Sequence, residues 1–166
     1  MAVLLKRLVL LLLTAFWLGG MTFYAGVVIP SAHSVLGSHR RVGFITQQVT
    51  NWINIAGAVT LATLLWHLVV TLRRGPIARR WRTMLLISWI TMAAAQVALF
   101  ALHRVMDRHL DVETRAITEE SQFYGMHRVY LILTMTQQAA GLLQVLCLLA
   151  VWRAADARRM DDLRGP

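Results

Sequence analysis

The stretch Phe16-Trp17-Leu18-Gly19-Gly20-Met21-Thr22-Phe23-Tyr24-Ala25-Gly26-Val27-Val28-Ile29-Pro30-Ser31-Ala32-His33, continued through Gly37-Ser38-His39-Arg40-Arg41 to Gln47-Gln48, Asn51 and Asn54, decides how this chain reads. A helix made only to fill lipid needs neither its glycines nor its proline, nor a group of amides just past a turn. The segment therefore reads as a membrane span that ends near Pro30. It turns at Gly37-Ser38 and re-enters as a second helix carrying amides into a bundle.

Working outward, the 166 residues are 57% hydrophobic and 15% charged, with a mean hydropathy of +0.56, far too apolar for an ordinary soluble domain. A spanning helix needs roughly 20 largely apolar residues at about 1.5 Å each. Four stretches qualify, at about 8–29, 52–72, 84–102 and 124–151. They leave room for one membrane domain over 1–166 and for no separate soluble module. Lys6 and Arg7 before an apolar run have the form of a signal peptide, but the run is longer than an h-region. No small-x-small cleavage pattern precedes Pro30, so it reads as a retained first span.

Charge gives the orientation. Lys6, Arg7, Arg73, Arg74, Arg79, Arg80, Arg82, Arg153, Arg158, Arg159 and Arg164 place 11 of the 17 cations on the side of the termini. Arg40, Arg41, Arg104, Arg108, Arg115 and Arg128 are the six on the other side. Asp107, Asp111, Glu113, Glu119 and Glu120 put five of the eight acids there as well, for a net of +1 against +8. The positive-inside bias then makes both termini cytoplasmic. The net charge of +9 flanks hydrophobic spans, so anionic lipid accounts for it and nucleic acid is not an expected partner. Cys147 is the single cysteine and cannot form an intrachain disulfide.

Along the chain, Gly19 and Gly26 lie seven apart and read as a close-packed helix seam. Pro30 reads as a kink, with Gly37 as C-terminal cap and Ser38 as the next N-cap. Gln47, Asn51 and Asn54 share a stripe, and amides facing hydrocarbon are costly, so the stripe is expected to face inward. Gly75-Pro76 marks the second turn. On the third helix Gln96, His103 and Asp107 fall within about 40° of arc. The connection from Arg108 to Gln122 reads as a short surface helix, with Ser121 capping the fourth span. There Thr134, Gln138 and Gly141 cluster within about 40° of His127, with Tyr130 and Gln137 flanking them. Short connections make sequential helices antiparallel neighbours. The expected fold is an all-α, integral membrane four-helix bundle, up-down-up-down.

Chemistry is expected in the outer half of that bundle, where His33, Gln47, Asn51, Asn54, Gln96, His103, Asp107, His127, Tyr130, Thr134 and Gln138 form a polar pocket. His103 and His127 stand at similar depth on adjacent helices, an arrangement suited to axial ligation of haem b or to a metal ion, with Asp107 orienting one ring. The same residues also suit proton exchange or contact with a quinone. Their plainest reading is a lock that interlinks the helix ends. No hydrolase, kinase or nucleotide-binding motif is present, so the leading expectation is a non-enzymatic binding or interaction protein. The alternatives are a haem- or metal-associated redox component and a small transporter or channel subunit. The bilayer is the expected partner, with a second copy or another membrane helix beside it.

Trp17-Leu18-Gly19-Gly20-Met21, then Val27-Val28-Ile29-Pro30, a turn, an amide-bearing second helix and Phe123-Tyr124-Gly125-Met126-His127 resemble the small uncharacterised four-span membrane proteins grouped as a domain of unknown function. The bundle more distantly resembles copper-resistance-D-like and protoporphyrinogen-oxidase-like membrane families. It lacks their metal and haem motifs, and no ligand is carried over. The resemblance implies a four-span fold in the bacterial inner membrane and no particular activity.

Overall fold

The computed structural model describes residues 1–74, 77–111, 116–117 and 120–165. The chain runs as α1 (Ala2–Phe23), a π-helical turn (Tyr24–Val28), α2 (Ile29–Leu36), α3 (His39–Arg74), α4 (Arg79–Asp107), a two-residue strand pair and α5 (Glu120–Arg164). α1, the π turn and α2 follow one another without interruption, so the described residues form four helical rods side by side, each long and apolar enough to cross a membrane. α1 packs on α3 and α5, α3 on α4, and α4 on α5, which closes the bundle. Arg7 at one end of the chain makes a two-pronged ion pair with Asp156 near the other, at 2.6 and 2.9 Å, so both termini lie at the same end.

All four rods bury residues with a three-four stagger: Leu10, Thr14, Trp17, Met21 and Tyr24 on the first, Asn54, Gly57, Leu61, Leu64 and Leu68 on α3. Leu85, Ser88, Met92, Ala95 and Leu99 continue it on α4, and Gln137, Gln144 and Val151 on α5. A repeat of 3.5 residues keeps one seam facing its neighbours along the whole length of an antiparallel bundle. The outward faces carry Phe16, Trp52, Trp66, Ile90, Val97 and Leu146, all exposed, as a surface solvated by acyl chains requires.

The break in the first rod has a local cause. Pro30 has no N–H to give Gly26, and its ring would press on that carbonyl. The helix widens just before it: the Ile29 N–H reaches back five residues to the Tyr24 carbonyl, and α2 restarts with Pro30 in its first turn. Gly37 then adopts φ +57°, its N–H capping the His33 carbonyl at 3.1 Å. Ser38 Oγ accepts from the Arg41 N–H at 3.4 Å and opens α3. The expected turn is therefore built as a left-handed cap followed at once by an N-cap.

Three expectations are corrected. Gly19, Gly20 and Gly26 face away from the core and a Cβ on any of them meets nothing within 4 Å. The close approaches are elsewhere: a Cβ on Gly57 would lie 2.5 Å from Gln96 Oε1 and 2.7 Å from Trp17 Nε1, and one on Gly141 would lie 2.8 Å from Leu18 Cδ2. Second, the connection after α4 contains an antiparallel strand pair, Leu110 against Ile117 and Asp111 against Ala116, in place of a surface helix. Ile117 is β-branched, which favours extended backbone. Third, α5 begins at Glu120, so Ser121 lies inside the helix. The Gly75-Pro76 turn and the charges of Glu113, Arg115 and Glu119 lie outside the described residues.

Gly57→Ala is expected to lower the stability of the detergent-solubilised protein by about 1–3 kcal/mol, because neither the indole nor the amide can retreat. Gly19→Ala is expected to leave it unchanged or raise it slightly. Thermal unfolding of the two variants side by side checks both.

Candidate functional site

At the end of the bundle away from the termini, a cavity of about 390 Å³ opens between the rods. Each rod contributes to it. The π turn places Tyr24 in its wall, α2 adds His33, and the first turns of α3 add Gly43, Gln47 and Asn54. The last turns of α4 supply His103 and Asp107, and the opening turns of α5 supply His127, Tyr130 and Thr134. Met21, Ile29, Ile53, Met106 and Leu131 form apolar walls. The volume lies within the range of small-molecule sites, and the mixture of apolar walls with a few convergent polar groups is typical of them.

The polar groups are arranged in two sets. Near the mouth, Gln47 Nε2 donates to Asp107 Oδ1 at 2.9 Å, while His103 Nε2 lies 3.7 Å from Asp107 Oδ2 one helical turn away. Deeper, Asn54 Nδ2 donates to the Tyr130 hydroxyl at 3.1 Å, and the His103 and Tyr130 rings stand 6.4 Å apart. The Tyr24 hydroxyl is buried in this wall beside Thr46, which also lines the cavity.

Below the cavity the amides continue as a chain across the core. Gln96 Nε2 donates to the Asn54 carbonyl at 3.3 Å, and Gln137 Nε2 donates to Gln96 Oε1 at 3.0 Å and to the Met92 carbonyl at 3.2 Å. Further on, the Ser88 hydroxyl bonds Gln144 Oε1. Gln137 and Gln144 are both 0% exposed.

Of the residues expected to form a pocket, His33, Gln47, Asn54, His103, Asp107, His127, Tyr130 and Thr134 line the cavity. Three do not. Asn51 is exposed, because the inward seam of α3 runs through Gln47 and Asn54 and leaves position 51 on its outer edge. Gln96 belongs to the amide chain beneath. Gln138 turns to α1, donating to the Leu18 carbonyl at 3.0 Å and approaching Thr22 Oγ1 at 3.3 Å. The core-facing stripe of α5 is Tyr130, Gln137 and Gln144, spaced by seven, and the Gln138–Gly141 side is the contact with α1. Tyr24 and Gln144 were not singled out from the sequence. The signal was there for both: Tyr24 completes the 10/14/17/21/24 stagger, and Gln144 lies seven beyond Gln137.

Among the described residues no three His, Cys, Asp or Glu side chains come together as a group able to hold a metal ion. His103 and His127 line the same cavity, with the first engaged by Asp107. Two imidazoles fall short of the three or four protein ligands of a zinc site, while a haem iron needs only axial ligands.

Comparison with protein-family models, with curated proteins and with solved structures finds no match to this chain. Residue roles therefore rest on the geometry alone.

Replacing Asn54 by Ala and Tyr130 by Phe, singly and together, is expected to reveal a coupling of about 0.6 kcal/mol, the usual strength of a side-chain hydrogen bond between helices in a membrane. Unfolding of the four proteins in one detergent gives the cycle.

Proposed function

We propose that this chain is a multi-pass protein of a bacterial-type inner membrane, with both termini cytoplasmic, that binds a small amphipathic molecule in the outer half of its bundle. The excess of cations at the end carrying the termini supports the orientation. The observation that carries the binding reading is the distal cavity. It combines apolar walls with two hydrogen-bonded polar sets. A ligand suited to it has an apolar body and a polar group that exchanges hydrogen bonds with the Gln47–Asp107–His103 and Asn54–Tyr130 sets. Residues known for covalent catalysis play no part in this reading: the cavity binds and orients through hydrogen bonds.

Gly43 offers a clean test, since it lines the cavity and a Cβ there meets nothing within 4 Å. Gly43→Phe is expected to fill the cavity without unfolding the bundle. Organic extracts of the wild-type protein, purified in mild detergent from its native membrane, are expected to contain a small molecule at near-stoichiometric amount that Gly43→Phe loses. Extracts indistinguishable by mass spectrometry, from proteins of equal melting temperature, would remove the binding reading.

A second reading rests on the two imidazoles that share the cavity, which suit axial ligation of a haem. It requires a Soret band that disappears in His127→Ala. The binding reading expects both proteins to be colourless after haem-supplemented expression.

A further inference from the structure

At the opposite end, a second and larger cavity of about 930 Å³ lies between α1, α3 and α5. Its polarity changes along its length. Leu10, Thr63 and Val151 line the part nearer the middle of the bundle. Lys6, Arg7, Arg158 and Arg159 line the mouth, together with Asp162. From Val151 to Asp162 the α5 wall rises roughly 16 Å, at about 1.5 Å per residue. That is enough for a charged headgroup at the mouth and the upper part of its acyl chains below.

The mouth is organised. Arg7 is held by the two oxygens of Asp156 and stands 5.2 Å from the centre of the Trp152 ring. Trp152 Nε1 in turn donates to His67 Nε2 at 3.1 Å, and the two rings meet edge to face at 5.4 Å. This chain from Asp156 to His67 fixes α1, α5 and α3 around the groove. Counting Asp156 with the mouth, four cations face two carboxylates, an excess of two positive charges above an apolar trough. Water-soluble anions use only the first of these features. An anionic phospholipid uses both, and it is the occupant that charge complementarity at the mouth and the apolar depth together select.

We infer that the groove between α1, α3 and α5 is a binding site for one anionic phospholipid of the cytoplasmic leaflet, its phosphate held at Lys6 and Arg159 beside the anchored Arg7. The inference rests on the membrane placement proposed above and is independent of the distal cavity. Lys6 and Arg159 are both exposed, so their replacement leaves the core intact.

Native mass spectrometry of the full chain in detergent, titrated with phosphatidylglycerol, phosphatidylcholine or inorganic phosphate, tests it. Phosphatidylglycerol is expected to bind at one site about tenfold or more tightly than phosphatidylcholine, and the combined change Lys6→Gln and Arg159→Gln to remove that preference. Thr63→Trp, which narrows the trough below the mouth and leaves the cations in place, is expected to weaken both lipids. Gly43→Phe is expected to bind phosphatidylglycerol as the wild type does, which separates this site from the distal one. Equal binding of the two lipids, retention of the preference without Lys6 and Arg159, or full displacement of the lipid by millimolar phosphate would each overturn the inference.

Discussion

Everything in this bundle depends on where its amides can find partners. A carboxamide turned to hydrocarbon loses its hydrogen bonds with water and receives nothing in return, a penalty of several kcal/mol on apolar transfer scales. The amides therefore turn inward: Asn54 to the Tyr130 hydroxyl, Gln96 to a backbone carbonyl, Gln137 to Gln96 and a backbone carbonyl, and Gln144 to the Ser88 hydroxyl. Doing so fixes the rotation of α3, α4 and α5 about their own axes. Leucine seams alone would tolerate several rotations, because lipid and a neighbouring helix are equally apolar.

Once those rotations are set, the rest follows from length and packing. Gly57 comes to lie under the Trp17 indole and against Gln96, so the first rod and α4 both approach α3 closely at mid-height. Above that point the rods separate, and the widened turn before Pro30 carries Tyr24 and then His33 over the opening. Below it, Arg7 and Asp156 tie the first rod to α5 near the ends of the chain, beside the second cavity. The two cavities thus lie at opposite ends of a core that is polar at mid-height and leucine-rich toward the termini.

Much of the distal site was legible from spacing. Gln47 and Asn54 share the inward seam of α3, and His103 with Asp107 sits at adjacent turns near the end of α4. Asn51 and Gln138 were misplaced for one reason: each lies within about 40° of a residue that does line the cavity, and at about 100° per residue that arc separates a seam from its flank. The glycines of the first rod misled in a different way. Small residues permit close approach without compelling it, and Gly19 and Gly26 fall on the outward side of the stagger that buries Trp17, Met21 and Tyr24.

The sequence by itself determined the number of apolar helices, the capped turn at Gly37-Ser38 and the shared end of the termini, because apolar run length, the freedom of glycine to take positive φ and charge asymmetry are local properties. Only the tertiary structure decided which faces meet. It assigned close packing to Gly57 and Gly141, turned Gln138 to α1, joined Asn54 to Tyr130 and opened a basic groove beside Trp152. In a helix apolar on nearly every side, the hydrophobic pattern carries little information about rotation. That information resides in hydrogen bonds and steric fits between residues far apart in the chain.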